Sequence, residues 1–448
     1  MEIKRFYDTA LAHASYAILS DGAMALVDPA RDPQPYYDFA SEKKATIVAV
    51  LETHPHADFV SGHVQIHNEK GADIRINEMA GVGYPYKPFN DGDILTLGKI
   101  SIQALHTPGH SPDSNSYLVV DEHGKQTALF TGDFLFIGDV GRPDLREKAG
   151  NIHEARADLA RKMYRSIHDV LPRIADDVEI YPAHGAGTLC GKHLSDKPSD
   201  TLGNQRETNW ALQEMSEKEF VDSLLADQPF VPKYFPYDVE MNRKGADALE
   251  DSLARVPALA RSEDVVPGVL VVDTRNEADY KKGHLPNSVN IQSGLGDRFE
   301  TWLGSIIAPG EAFYLVAATE EEIKTAKGRA AKIGYEPHIK GTFVHDSFDT
   351  TDVGKLDAAT FSAHRDDYYV IDVRQPYEHE PNKIFADSVN IPLAELRDRA
   401  AEIQTDKPVV IHCAGGYRSA AGSSVLRAAR PDLKVYDLGA AIRQFKKS

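Results

Sequence analysis

Four times in its first 190 residues the chain runs a short apolar segment into a turn that carries a metal-binding side chain. Ala45-Thr46-Ile47-Val48-Ala49-Val50-Leu51 leads to Thr53-His54-Pro55-His56-Ala57-Asp58-Phe59. Ile100-Ser101-Ile102-Gln103-Ala104-Leu105 leads to His106-Thr107-Pro108-Gly109-His110. Ala128-Leu129-Phe130 leads to Thr131-Gly132-Asp133, and Glu179-Ile180-Tyr181 to Pro182-Ala183-His184-Gly185. Strand-like runs that end in ligand-bearing turns require a sheet scaffold that gathers its site along one rim. The candidate ligands are His54, His56, Asp58, His110, Asp133 and His184.

The donor types constrain the metal. Two imidazoles and one carboxylate, with open positions, describe the facial arrangement of non-haem Fe(II) oxygenases. Zinc hydrolases bring more histidines and often a second ion. After Asp58 stands Phe59, whose benzyl group cannot bind a metal. The run resembles the metallo-β-lactamase metal signature, whose two-metal members place a second-site His at this position, so the resemblance implies one metal rather than two.

At 448 residues the chain has room for two to four domains with large buried cores. A net charge of −18 argues against nucleic acid and against anionic membrane surfaces as partners. No window approaches the roughly 18 apolar residues that span a bilayer. Asp8 and His13 interrupt the N-terminal segment, so no signal peptide is expected. The only cysteines are Cys190 and Cys413, which suits a reducing cytoplasm better than a disulfide framework.

Phe230 to Tyr237, with Pro229, Pro232 and Pro236 in or beside it, reads as a proline-stiffened connection. An internal repeat follows. Val269-Leu270-Val271-Val272-Asp273-Thr274-Arg275 matches Tyr369-Val370-Ile371-Asp372-Val373-Arg374. Ser288-Val289-Asn290-Ile291 matches Ser388-Val389-Asn390-Ile391. A buried strand, an acidic end and a second short strand, given twice, predict two copies of one α/β domain, over about 250–350 and 355–448.

The second copy contains a cysteine cradle. Pro408-Val409-Val410-Ile411-His412 runs into Cys413-Ala414-Gly415-Gly416-Tyr417-Arg418-Ser419 and then a helix. Backbone N–H groups and the helix N-terminus favour a thiolate or a persulfide at Cys413. Gly415 and Gly416 let the backbone curl, and Arg418 is expected to supply a fixed positive charge. The first copy has Val316-Ala317-Ala318-Thr319-Glu320-Glu321-Glu322 there, with no thiol and three acids that would repel an anionic sulfur donor.

Three residues near the first site are candidates for the substrate side. Arg142, in Gly141-Arg142-Pro143-Asp144, could hold a carboxylate or phosphate bidentately. Tyr181 could offer a hydroxyl. Cys190 lies in a glycine-rich loop with Lys192 nearby, which would favour its thiolate.

The order HxHxD, TPGH, TGD and PAHG is that of the metallo-β-lactamase superfamily. In THPHADF, TPGHSPDS, TGDFLFIGDVGRPDL and YPAHGAGTLCGK, residues 1–240 resemble the persulfide dioxygenases. Residues 355–448 resemble the rhodanese family. The whole chain is similar to bacterial persulfide dioxygenase–rhodanese fusions used in sulfide detoxification. The resemblance implies an N-terminal metallo-β-lactamase αββα sandwich over 1–240, then two rhodanese-like α/β domains, the first without the active-site cysteine. It implies one Fe(II) per chain on His54, His110 and Asp133, with His56, Asp58 and His184 orienting those ligands or lining the pocket. It implies a pocket for a small persulfide beside Arg142, and Cys413 as the sulfur-carrying nucleophile in a loop with Ala414, Gly415, Gly416, Tyr417, Arg418 and Ser419. The implied partners are a small persulfide, O2, and sulfite or thiosulfate, with neither nucleic acid nor membrane. A homo-oligomer is the expected assembly, although no residue pattern fixes its size. The alternatives are a two-metal thioester hydrolase of the glyoxalase II type and a sulfur carrier or redox sensor that uses Cys413 only.

Overall fold

The computed structural model describes residues 1–146, 155–345 and 356–446. The expected junction at 350–355 and the last two residues lie outside them. The chain forms two compact units, Met1–Ser252 with Ala331–Gly334, and Leu253–Ala330 with Tyr335–Ser448.

The first unit is built on two six-stranded sheets. Their strands carry apolar side chains on both faces, because each sheet is covered on both sides. Along Ala23–Val27, Ala25 and Val27 face the opposing sheet, while Met24 and Leu26 face helices. The central layer packs Tyr16, Ile18, Leu51, Ile102, Tyr117, Val119 and Phe130. Outside one sheet, Tyr36, Phe39 and Ile66 from the helices Gln34–Lys43 and His63–Lys70 close a second layer. Outside the other, Leu159-flanked Ala160, Met163 and Ile167 of helix Arg156–Val170 meet Phe220 and Leu224 of helix Glu217–Leu225. The expected αββα sandwich is therefore present.

The expected proline-stiffened connection takes a different form. Pro236 occupies the first turn of a helix, Phe235–Lys244, where its missing N–H costs nothing. Tyr234 and Phe235 are buried, so this segment belongs to the first unit.

The second unit contains two four-stranded parallel sheets of identical order, second-first-third-fourth. The residues that reveal the repeat in sequence prove to hold each copy together. Arg275 clamps buried Asp273 and Arg374 clamps buried Asp372, each at 2.6 Å. Asn290 donates to the carbonyls of Asp273 and Arg275, and Asn390 to those of Asp372 and Arg374. Among the described residues no helix is long and apolar enough to cross a membrane.

Candidate metal centre and cysteine cradle

The four strand-end turns converge as expected. Ligand atoms of His54, His110 and Asp133 lie within 4.8 Å of one another, and all three residues are buried. His56, Asp133 and His184 form a second such group, and Asp58, His184 and Cys190 a third.

Each side chain is aimed by the backbone around it. Asp28, at the end of strand Ala23–Val27, accepts from the Thr53 N–H at 2.7 Å and from its hydroxyl at 2.9 Å. This fixes the turn that starts the HxHxD run. The Thr53 hydroxyl also lies 3.1 Å from His54 Nδ1, and Asp28 lies 3.3 Å from His56 Nε2. His110 donates from Nδ1 to the Arg142 carbonyl at 2.9 Å, which turns Nε2 toward Asp133 at 3.5 Å. His184 Nδ1 lies 3.3 Å from the Ala12 carbonyl, and its Nε2 faces Asp58 at 3.4 Å and Asp133 at 3.5 Å. Asp133 follows Gly132, whose φ of +52° and close approach to Thr53 leave no room for a Cβ.

The donor set fits a cation. Both oxygens of Asp133 and Oδ1 of Asp58 are buried and accept no hydrogen bond. Buried carboxylate oxygens surrounded by imidazole nitrogens are costly without a positive charge between them. Burial works against charge on His184, yet Asp58, Asp133 and Cys190 outweigh it and hold its pKa well above the usual value. Asp58 is held at about 2, where burial is outweighed by His184.

Three residues that the sequence does not mark as part of this site also belong here. Asp28 is one; its signal was an acid closing the strand Ala23–Val27. His13 is another. It is buried and stacks on Phe59 at 3.7 Å, and Phe59 also packs against His56 at 4.5 Å. Phe59 thus fills the space beside the site with two ring contacts. Asn242 is the third. From helix Phe235–Lys244 it donates to the carbonyls of His56 at 2.9 Å and Phe59 at 2.7 Å and accepts from Ser61 N at 2.8 Å. No local pattern announces a brace that lies some 180 residues away.

The substrate-side candidates are placed differently from expectation. The Arg142 guanidinium is buried and bidentate with Asp144 at 2.7 Å, and it also donates to the Leu189 carbonyl. Its main-chain N–H donates to the Cys190 carbonyl at 3.0 Å. Arg142 therefore ties the His110 turn to the Cys190 loop. Tyr181 stacks on Phe130 at 5.2 Å and meets Tyr16 at 5.5 Å, partly buried against the layer between the sheets. Cys190 does join Asp58 and His184, but Lys192 does not serve it. Lys192 Nζ donates instead to the carbonyls of Ser223 and Ala226 at the end of helix Glu217–Leu225. Burial, then Asp58 and Asp133, push the Cys190 thiol pKa up, the opposite of the expected thiolate bias.

In the second unit, strand Val409–His412 delivers Cys413 to the N-terminus of helix Tyr417–Ala429. The N–H groups of Gly415 and Gly416 point at Sγ from 3.4 and 3.1 Å, and the Ser419 hydroxyl lies 3.7 Å away. Gly416 has φ +120°, and a Cβ there would meet the backbone of Gly439 and Ala440 at 3.0–3.1 Å. The expected cradle is formed. Arg418, however, is paired with Glu378 at 2.6 and 2.8 Å, so its charge is compensated. In the first copy Ala317 takes the place of Cys413, since Asp273 pairs with Val316 as Asp372 pairs with His412. There Glu322 accepts from the Ala318 N–H at 2.8 Å.

Comparison with known proteins agrees with these two architectures. Residues 8–184 match the metallo-beta-lactamase superfamily, and residues 255–341 and 357–441 match the rhodanese-like domain. A crystal structure of a metallo-beta-lactamase from Staphylococcus aureus is 31% identical, with a TM-score of 0.68. It covers 77% of this chain and 99% of its own. The cytoplasmic hydroxyacylglutathione hydrolase of Arabidopsis thaliana is 30% identical over 51% of this chain and 81% of its own length. A Burkholderia pseudomallei protein named as a probable metallo-hydrolase is 30% identical over 38% of this chain and 68% of its own. The chain belongs to the metallo-beta-lactamase superfamily and carries two rhodanese-like domains after that fold.

Proposed function

We propose that the protein is a persulfide dioxygenase joined to a sulfurtransferase, acting in sulfide detoxification. The first site would convert RSSH, O2 and H2O into RSH, sulfite and two protons. The observation that carries this reading is the His54–His110–Asp133 group beside Phe59, in one polypeptide with a formed cradle around Cys413. His54, His110 and Asp133 would hold one Fe(II), which when bound supplies the redox chemistry for O2 and persulfide sulfur. The protein's own part is positional. The Arg142 carbonyl fixes the His110 ring, Asp28 fixes the His54 turn, and Asn242 holds the loop between His56 and Ser61.

In the second unit Cys413 attacks the outer sulfur of thiosulfate. The S–S bond of thiosulfate breaks, its electron pair leaves with sulfite, and Cys413 carries the persulfide. The N–H groups of Gly415 and Gly416 face the sulfur that bears the negative charge. Run in reverse, the same step turns sulfite from the first site into thiosulfate.

A second reading, thioester hydrolysis, draws on the His56–Asp133–His184 group and on relatives named as hydroxyacylglutathione hydrolases. Metal analysis of the purified chain with a persulfide-dependent oxygen electrode assay separates the two. About one iron per chain with oxygen uptake supports the dioxygenase; two zinc ions with thioester cleavage and no uptake support the hydrolase.

A further inference from the structure

The HxHxD loop has no strand or helix to hold it, yet residues 56–61 are buried. Buried main-chain groups need partners. Asn242 takes the carbonyls of His56 and Phe59 and the N–H of Ser61, and the Tyr234 hydroxyl donates to the Asp58 carbonyl at 3.4 Å. The Val60 N–H donates to the Lys332 carbonyl at 2.7 Å. Although the chain reaches Ala331–Gly334 from the cysteine-free copy, this turn belongs to the first unit.

The end of a helix makes that carbonyl available. Helix Glu320–Ala331 closes on Gly334, which has φ +65°. The Gly334 N–H returns to the Ala331 carbonyl at 3.1 Å and the Tyr335 N–H to that of Ala330 at 3.0 Å, the paired bonds of a glycine-capped helix end. Later carbonyls of the turn must find partners elsewhere. That of Lys332 takes the Val60 N–H, and that of Gly334 accepts from the Tyr237 hydroxyl at 3.1 Å. Tyr237 shares helix Phe235–Lys244 with Asn242. The Lys332 ammonium pairs with Asp8 at 2.5 Å. Asp8 also accepts from the N–H groups of Ala10 at 2.9 Å and Leu11 at 3.2 Å, just before the Ala12 carbonyl that faces His184 Nδ1.

We propose that the turn Ala331–Gly334 is a positioning element of the metal centre. It holds the HxHxD loop directly through Val60 and indirectly through helix Phe235–Lys244, and it steadies the His184 side through Asp8. The candidate ligands all come from residues 54–184, but the backbone that aims them is completed by a turn that follows a helix of the cysteine-free copy. That copy, without a thiol of its own, thereby has a task at the first site. This rests on the metal-centre reading given above, not on which reaction the metal serves.

The test uses the full chain and compares Gly334→Ala, Tyr237→Phe and Gly310→Ala. A Cβ at position 334 would meet Met241 at 2.6 Å and Tyr237 at 3.1 Å. Gly310 also has positive φ, +83°, but a Cβ there meets nothing within 4 Å, so it brings backbone strain without the contact. Tyr237→Phe removes only the hydroxyl that holds Gly334, and it carries the test by itself where Gly334→Ala folds poorly. Hydrogen–deuterium exchange is read on a peptide covering residues 56–62 and on one covering strand Asn115–Val120. Gly334→Ala should speed exchange of the loop at least about ten-fold and Tyr237→Phe about three-fold, with the strand peptide unchanged. In anaerobic Fe(II) titration Gly334→Ala should raise Kd about ten-fold, Tyr237→Phe less, and Gly310→Ala not at all. Thiosulfate-to-cyanide transfer at Cys413 should stay within about two-fold in all three. Unchanged loop exchange in both Gly334→Ala and Tyr237→Phe, or faster exchange with unchanged Fe(II) affinity, overturns the inference. Equal effects in Gly310→Ala overturn it as well, since strain alone would then be the cause. A chain whose Fe(II) binding depends on the turn but which takes up no oxygen with persulfide upholds the inference and removes the dioxygenase reading instead.

Discussion

Both oxygens of Asp133 are buried without a hydrogen bond, while His110 and His184 each turn Nε2 toward them at 3.5 Å. Removing this carboxylate takes away one ligand of the proposed three and leaves the imidazoles facing a void. Asp133→Ala should therefore drop bound iron from about one to below about 0.1 per chain and end persulfide-dependent oxygen uptake. Normal iron content in that variant would refute the ligand assignment. At Cys413 two adjacent glycines make a sharper comparison. Gly415→Ala meets nothing within 4 Å, whereas Gly416→Ala is strained at φ +120° and crowds Gly439 and Ala440. With about 1–3 kcal/mol of strain in the cradle, Gly416→Ala should cut sulfur transfer at least about ten-fold and Gly415→Ala less than about two-fold. Equal losses would mean that the cradle does not set the rate. Glu378 adds a pH dependence. Burial raises its pKa, but Arg418 outweighs burial and holds it below the ordinary carboxylate value. A depressed folded pKa contributes stability above the unfolded value and loses it as pH falls through the folded one. Glu378→Gln should thus flatten the acid side of the second unit's unfolding curve, followed by thermal melts from about pH 6 down to about pH 3.

Among the elements, the helix Phe235–Lys244 carries the largest surprise. Read as sequence, its prolines suggest a connection; in the fold, Pro236 starts a helix whose Asn242 satisfies three main-chain groups of the HxHxD loop. Asn242→Ala would leave two buried carbonyls and a buried N–H unpaired, at about 1–3 kcal/mol for each group. It should also weaken metal binding about 10- to 100-fold through the loosened loop. Metal titration read together with thermal stability checks both, and a chain that melts earlier yet binds metal normally would confine Asn242 to folding. This brace marks where sequence reading stops. The strands, the ligand turns and the repeat are legible because periodicity, glycines and Asp-x-Arg ends act over a few residues. Asp28, His13 and Asn242 are not, because their partners are distant in the chain and their own neighbours are unremarkable in pattern. Arg142 and Arg418 show a related limit. A charged residue in a loop can point to a ligand or to a carboxylate of its own fold, and only the placement of Asp144 and Glu378 decides between them.

For the whole molecule, the decisive question is whether two chemistries share one chain without depending on one another. The first unit contains its full donor set, and the second contains its own cradle. Among the described residues, the proposed iron ligands His54, His110 and Asp133 lie in the first unit, and Cys413 with its loop lies in the second. Cys413→Ser should end sulfur transfer, because a hydroxyl at neutral pH is a far weaker nucleophile than a thiolate. Oxygen uptake with a supplied small persulfide should persist within about two-fold of the parent chain, since the change spares every proposed first-site ligand. The product should be the informative difference. With persulfide in excess the parent chain should release thiosulfate, whereas Cys413→Ser should release sulfite that stays sulfite. Asp133→Ala should do the converse, losing oxygen uptake but keeping thiosulfate-to-cyanide transfer. Chromatographic analysis of sulfite and thiosulfate alongside the oxygen trace reads all four outcomes in one experiment. Loss of oxygen uptake in Cys413→Ser would show that Cys413 must load the first site. The thiol of Cys190, beside Asp58 and His184, would then be the next residue to vary.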